Sequence, residues 1–209
     1  MECDIFEEKI MKKFTSDQSG RSMVEMLGVL AIIGVLSVGG IAGYSKAMAK
    51  FKLTKAMDQV STTVTNIRTL YSGQPNYDGL NTTTAIRMGA IGAEMLNGKS
   101  TASATDAFNA FNGKVFISTP NGGQSFIVTF TGLGKEACVA LGSADWGSGS
   151  GSGLVSVAVA GEAATAAPSA MPTANIGTTA DATLPLKLST AATGCSGKGD
   201  TNTVYWNYY

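Results

Sequence analysis

From Met23 to Tyr44 the chain is apolar, interrupted only by Glu25, Ser37 and a set of glycines. At about 1.5 Å per residue, a helix of that length crosses the roughly 30 Å hydrocarbon core of a bilayer. This run constrains the chain more than any other feature, because every side of such a helix needs an apolar cover. Residues 1–20, before it, are polar and charged. A cleaved secretory signal has a shorter apolar core with its cut site after it. Here the expected cut, at Gly20, falls before the run, so the apolar segment stays on the mature protein.

The helical pattern continues past the apolar run. Leu53, Met57, Val60, Val64, Ile67 and Tyr71 recur at steps of four and three, which makes one apolar stripe. Lys46, Lys50, Lys52 and Lys55 precede or flank the stripe at the expected membrane–water boundary. Ser72-Gly73 and Pro75 stop the helix, since glycine suits the cap and proline cannot continue it. The spacing predicts one helix from Arg21 to Tyr71, of about fifty residues and on the order of 75 Å. Half of it is apolar all round and half is amphipathic.

The amphipathic half needs a partner surface, and the remaining sequence supplies a sheet. Lys114–Thr119 and Ser125–Thr131 are rich in β-branched and aromatic residues, and Asn121-Gly122-Gly123 between them is a hairpin signal. Leu154–Val159 and Thr203–Tyr208 read as further strands. Lys135–Leu141 and Leu186–Ala192 read as short helices or turns, and Thr82–Leu96 as a helix weakened by Gly89 and Gly92. Gly147–Gly153 is a glycine–serine surface loop, and residues 160–183, rich in alanine, threonine and proline, form a second exposed loop. In the last strand Val204, Trp206 and Tyr208 share one face and Tyr205 and Tyr209 the other. The expectation is a core strand with one exposed aromatic face. The fold class is α+β: a long N-terminal helix packed on a C-terminal antiparallel sheet.

Catalysis finds no footing in this sequence. It contains no histidine, which removes the commonest general base and metal ligand. It has no phosphate-cradling glycine loop and no nucleophile elbow. The reading is therefore not an enzyme, with no cofactor and no metal; Asp106, Glu136, Asp145 and Asp200 lack the spacing of a calcium loop. Lys plus Arg and Asp plus Glu stand at 15 each, so there is no broad basic face for nucleic acid. Hydrophobic residues at 44% against charged residues at 14% place the chain among folding sequences. The cysteines are Cys3, Cys138 and Cys195, and the last two are too far apart for a zinc or thioredoxin-like motif.

The deciding constellation is Gly20, then Arg21-Ser22-Met23-Val24-Glu25, then Met-Leu-Gly-Val-Leu-Ala-Ile-Ile-Gly-Val-Leu. A carboxylate near the start of a membrane helix costs about 2.5–3.5 kcal/mol by insertion scales, so it usually has a partner and a function. A cut after Gly20 would free an amine at Arg21 and make Glu25 the fifth residue. That cationic amine would neutralise Glu25 of its own helix or of a neighbour one step along. The second arrangement would set the axial register between subunits, as buried polar pairs can.

This signature resembles that of type IV prepilins. The long leader, the mature length and the segments KEACVAL and GCSGKGDTNTVYWNYY resemble the type IVb subclass and its conjugative thin-pilus, PilS-like members. The resemblance implies a pilin fold and a division into a leader (1–20), a membrane and filament-core half-helix (21–52) and a globular domain (53–209). It makes Gly20 the processing residue, Arg21 the new and N-methylated terminus, and Glu25 the assembly residue. It pairs Cys138 with Cys195 in a disulfide, consistent with an oxidising compartment. The implied partners are copies of the chain through the long helix, a prepilin peptidase and the pilus assembly machinery. The precursor would lie in the bacterial inner membrane and the product in a surface pilus. Two departures stand out: Arg21 replaces the usual apolar first residue, and no proline lies between Met23 and Tyr71. Two rival readings share much of this pattern. One is a type II secretion pseudopilin or minor pilin; the other is a monomeric membrane-anchored adhesin or binding protein.

Overall fold

The computed structural model describes residues 23–147 and 151–209. The chain divides into two compact units, one ending at Ala49 and one running from Lys50 to Tyr209. Helix α1, Met23–Leu70, contributes to both. Arg21, the expected start of that helix, lies outside the described residues. At the other end Tyr71 still donates its N–H to the Ile67 carbonyl at 3.0 Å, so the stop falls where Ser72-Gly73 predicts it.

Within the second unit, α1 buries Ala56, Gln59, Val60, Thr63, Val64 and Ile67. Leu53, Met57 and Tyr71, the outer members of the expected stripe, are half-buried against the same core. Two polar residues at this face add hydrogen bonds to the apolar contacts. Gln59 Oε1 accepts from Ala110 N–H at 2.9 Å, and half-buried Asn66 donates Nδ2 to the Ala90 carbonyl at 3.1 Å. These bonds tie the helix to the segment that follows it.

The sheet comprises β1 (Ala107–Phe108), β2 (Lys114–Ser118), β3 (Phe126–Leu133), β4 (Leu154–Ala160), β5 (Ile176–Thr178) and β6 (Asn202–Tyr208). Their spatial order is β1-β2-β3-β6-β4-β5, and every neighbouring pair is antiparallel. The last strand in sequence thus lies between β3 and β4, with Trp206 opposite Val128 on one side and Val157 on the other. Three short helices complete the unit: α2 (Thr82–Arg87), α3 (Lys135–Ser143) and α4 (Leu188–Gly194).

The face carrying Trp206 meets α1. Trp206 is fully buried, edge-on to Phe130 at 5.5 Å and to half-buried Trp146 at 5.2 Å between ring centroids. A second aromatic line runs from Tyr71 through Tyr77 and Phe126 to Tyr208, with centroids 5.3, 4.8 and 6.0 Å apart. Such rings contribute geometry as well as buried area.

The structure corrects three expectations. The face of β6 opposite Trp206 is not left to solvent: Tyr205 is only 8% exposed and packs with Ile127 and Ala158 under Ala164, Met171 and Ile176. The segment 160–183 is therefore no simple exposed loop. Its first part is a strap over the second sheet face, and its later part contains β5. Thr203 holds the strap by donating to the Glu162 carbonyl (2.6 Å) and accepting from Ala164 N–H (3.1 Å), while Ser118 donates to the Pro168 carbonyl (2.6 Å). Finally, Thr82–Leu96 is not one helix. Asn81 caps α2 by accepting from Thr84 N–H, but Gly89 takes φ +74° and ends the helical path before a 3₁₀ turn at Ala93–Met95.

Glycine is obligatory at Gly113. An added Cβ there would run into the Thr131 carbonyl, while Asn109 accepts from the N–H groups of Phe111 and Gly113 and donates to that same carbonyl. Gly113→Ala should lower stability by about 3 kcal/mol, the upper end for overpacking, measurable by urea unfolding. A pH effect follows from Tyr208, whose phenol is pushed up to about 12 by burial, against the opposing pull of the Arg68 guanidinium. Burial also raises Tyr71, Tyr77 and Tyr205. A raised phenol favours the fold in its neutral form, so this stability is present below pH about 10 and lost as pH rises through about 12. Tyr208→Phe should flatten the alkaline fall in unfolding free energy relative to the parent protein.

Candidate functional site

Two features present themselves: the uncovered portion of α1 and the cross-linked region around β6. In the first unit the large apolar side chains from Met23 to Tyr44 are all exposed, from 47% at Met26 to 82% at Met23. Soluble monomers rarely expose apolar surface on this scale. A Cβ added at Gly28, Gly34, Gly39, Gly40 or Gly43 would meet nothing within 4 Å, so packing inside the chain asks for none of these glycines. Small residues of this kind allow close approach between helices.

Glu25 lies in the first turn of α1 and is exposed. A carboxylate there is favoured by the helix dipole. Among the described residues it has no ion-pair partner; the ion pair found is Lys114–Asp106, at 3.1 Å on the surface. Gly20 and Arg21, the expected processing residues, lie outside the described residues. Gly147 and 151–153 are described, but the centre of that glycine–serine loop is not. The described end is held in place, with Arg68 Nη1 donating to the Ser152 carbonyl at 2.7 Å. Among the described residues, no three carboxylates or thiolates gather into a cation site.

Cys138 and Cys195 form a disulfide, with Cα atoms 5.9 Å apart and both residues fully buried. Cys138 lies on α3, which follows β3, and Cys195 caps α4, which precedes β6. The bond therefore joins the chain leaving one neighbour of β6 to the chain entering β6 itself. Trp146, just beyond α3, donates Nε1 to the Leu141 carbonyl at 2.8 Å and lays its ring on Trp206. Asn202, opening β6, donates to the Leu133 carbonyl at 2.9 Å and accepts from Gly197 N–H at 2.8 Å. Sequence pattern marked the cysteines and the strand. It did not mark Asn109, Asn202 or Thr203, whose importance lies in contacts between distant segments.

Comparison with known proteins relates the sequence to pilins. A family described as PilS N terminal matches residues 52–208. The major structural subunit of bundle-forming pilus from Escherichia coli O127:H6 is 31% identical over 141 residues, spanning 66% of this chain and 70% of that protein. Toxin coregulated pilin from Vibrio cholerae is 26% identical over 142 residues, spanning 66% and 63% of the two chains. Among solved structures, a type IV b pilin from Salmonella typhi superposes with a TM-score of 0.49 at 20% identity, covering 76% of this chain and 98% of the other.

The disulfide closes a loop across a separation of 57 residues, and chain entropy puts its contribution at about 4 kcal/mol. Replacing both cysteines by serine should lower the unfolding free energy by about that amount. Adding a reductant to the unfolded parent protein should bring its refolding equilibrium to the same level.

Proposed function

The chain belongs to the PilS family of type IVb pilins, and we propose that it is a major pilin, made as an inner-membrane precursor and assembled into a surface pilus after cleavage at Gly20. Being a structural pilin subunit follows from the family. The finer reading rests chiefly on the bare apolar surface of α1. Each Val, Leu or Ile side chain moved from water into an apolar environment contributes about 1.5–3 kcal/mol, so this surface has a large driving force to be covered. Lipid covers it in the precursor, and identical helices cover it in the filament. The exchange needs no refolding of the Lys50–Tyr209 unit, which has its own sheet, core and disulfide.

A prepilin peptidase would cut after Gly20 and methylate the new amine of Arg21. Glu25 then becomes the only acidic residue between that terminus and Asp58. In an apolar filament core, an unpaired carboxylate is costly and a paired one is specific to register. The free amine of a neighbouring subunit is the cation that assembly brings to it. The extracellular location of the product also fits a disulfide, which persists in oxidising surroundings.

Glu25→Ala removes the charge that sets register while leaving the second unit untouched. The expected outcome is loss of surface fibres, with the mutant protein still disulfide-bonded and protease-resistant in the membrane fraction. Fibres of normal number and diameter from that mutant would remove the assigned role.

A further inference from the structure

Lys50, Lys52 and Lys55 stand at the start of the second unit, all exposed, with Phe51 among them and itself 61% exposed. Among the described residues none of the three lysines has an ion-pair partner, and no Asp or Glu occurs in the sequence between Glu25 and Asp58. An α-helix turns about 100° per residue, which points the three side chains at about 0°, 200° and 140° around α1. A docked protein meets one side of a helix, and a specific protein contact would gather the cations there. These cations span the exposed arc of the helix as an open collar, while Ala56 and Leu53, at about 240° and 300°, turn into the core. The partner that meets so wide an arc is a layer of lipid headgroups. Lysine stems lie along apolar surface while their ammonium groups reach phosphate, and an aromatic ring such as Phe51 enters the acyl boundary beside them.

We propose that this lysine collar selects anionic phospholipids over zwitterionic ones around the helix of the membrane-resident precursor. The inference rests on the reading of the preceding apolar half of α1 as a membrane anchor. The recognised group is a phosphodiester with no compensating cation, as in phosphatidylglycerol. Each basic residue near such a surface favours it by up to about fivefold. The selected lipids would hold the collar at the headgroup level and supply counter-charge beyond the single carboxylate, Asp58, that follows it.

The test uses the full chain reconstituted in phosphatidylcholine vesicles, with a trace of spin-labelled phosphatidylglycerol or spin-labelled phosphatidylcholine. Spin resonance gives the fraction of each label immobilised by the protein. The expected result is a severalfold preference for phosphatidylglycerol that falls toward parity in K50Q/K52Q/K55Q. The preference of the unaltered chain should also fall in molar salt, where the screening length shrinks to about 3 Å. Equal immobilisation of the two labels, or a preference that survives both the triple variant and salt, overturns the proposal. Flotation of the same vesicles keeps the two readings apart. A chain that floats without lipid preference ends this inference alone; a chain that does not float ends the membrane-anchor reading as well.

Discussion

The stripe Ala56, Val60, Val64 and Ile67 is buried against the sheet face that carries Trp206, and the rest of the Lys50–Tyr209 unit depends on that contact. A lone amphipathic helix is marginal in water, and most helical stability in proteins comes from packing of one face. The sheet in turn needs α1, because the stripe completes the core into which Phe126, Val128, Phe130 and Trp206 pack. Placing the final strand in the middle makes this dependence cooperative. Strands β3 and β4 both pair with β6 and not with each other, so the sheet is incomplete until the last residues arrive. The Cys138–Cys195 bond fastens the connections on either side of that insertion and so lowers the chain entropy that opposes it.

One helix therefore serves two regimes. In the second unit its stripe is covered by its own chain, and polar residues such as Gln59 and Asn66 fix its position by hydrogen bonds to the neighbouring segment. In the first unit its large apolar side chains are exposed among the described residues. A sequence that keeps valine, leucine and isoleucine on all sides of a helix, and intersperses glycines that internal packing does not need, is committed to an external apolar partner. Lipid and a second copy of the same helix would both satisfy that commitment, so under the proposed function one segment would serve as anchor and as filament core.

Much of this was legible in the sequence wherever a period or a turn signal exists. The stripe gave α1 and its end, β-branched runs gave β2, β3, β4 and β6, and the two late cysteines marked the cross-link once the family resemblance was seen. The strap over Tyr205 was not legible. Its covering residues are Ala164 and Met171, set in an alanine–threonine–proline stretch with no periodicity, and its anchors are Thr203 and Ser118, polar groups whose partners lie far away in sequence. Gly89 was visible as a weak point in a helix, but only the backbone shows that it ends one. The singled-out polar residues divide similarly: Glu25 is conspicuous as a charge inside an apolar run, whereas Asn109 and Asn202 look like ordinary loop asparagines until their carbonyl partners are seen.

The central claim, that the exposed half of α1 belongs to a processed subunit of a surface polymer, is tested most directly on material sheared from cells. Intact mass and N-terminal sequencing of that fraction should find a chain beginning at Arg21, lighter by the hydrogens lost in the disulfide and heavier by a methyl group. A chain that retains residues 1–20, or one that stays with the membranes and is missing from the sheared fraction, would contradict it.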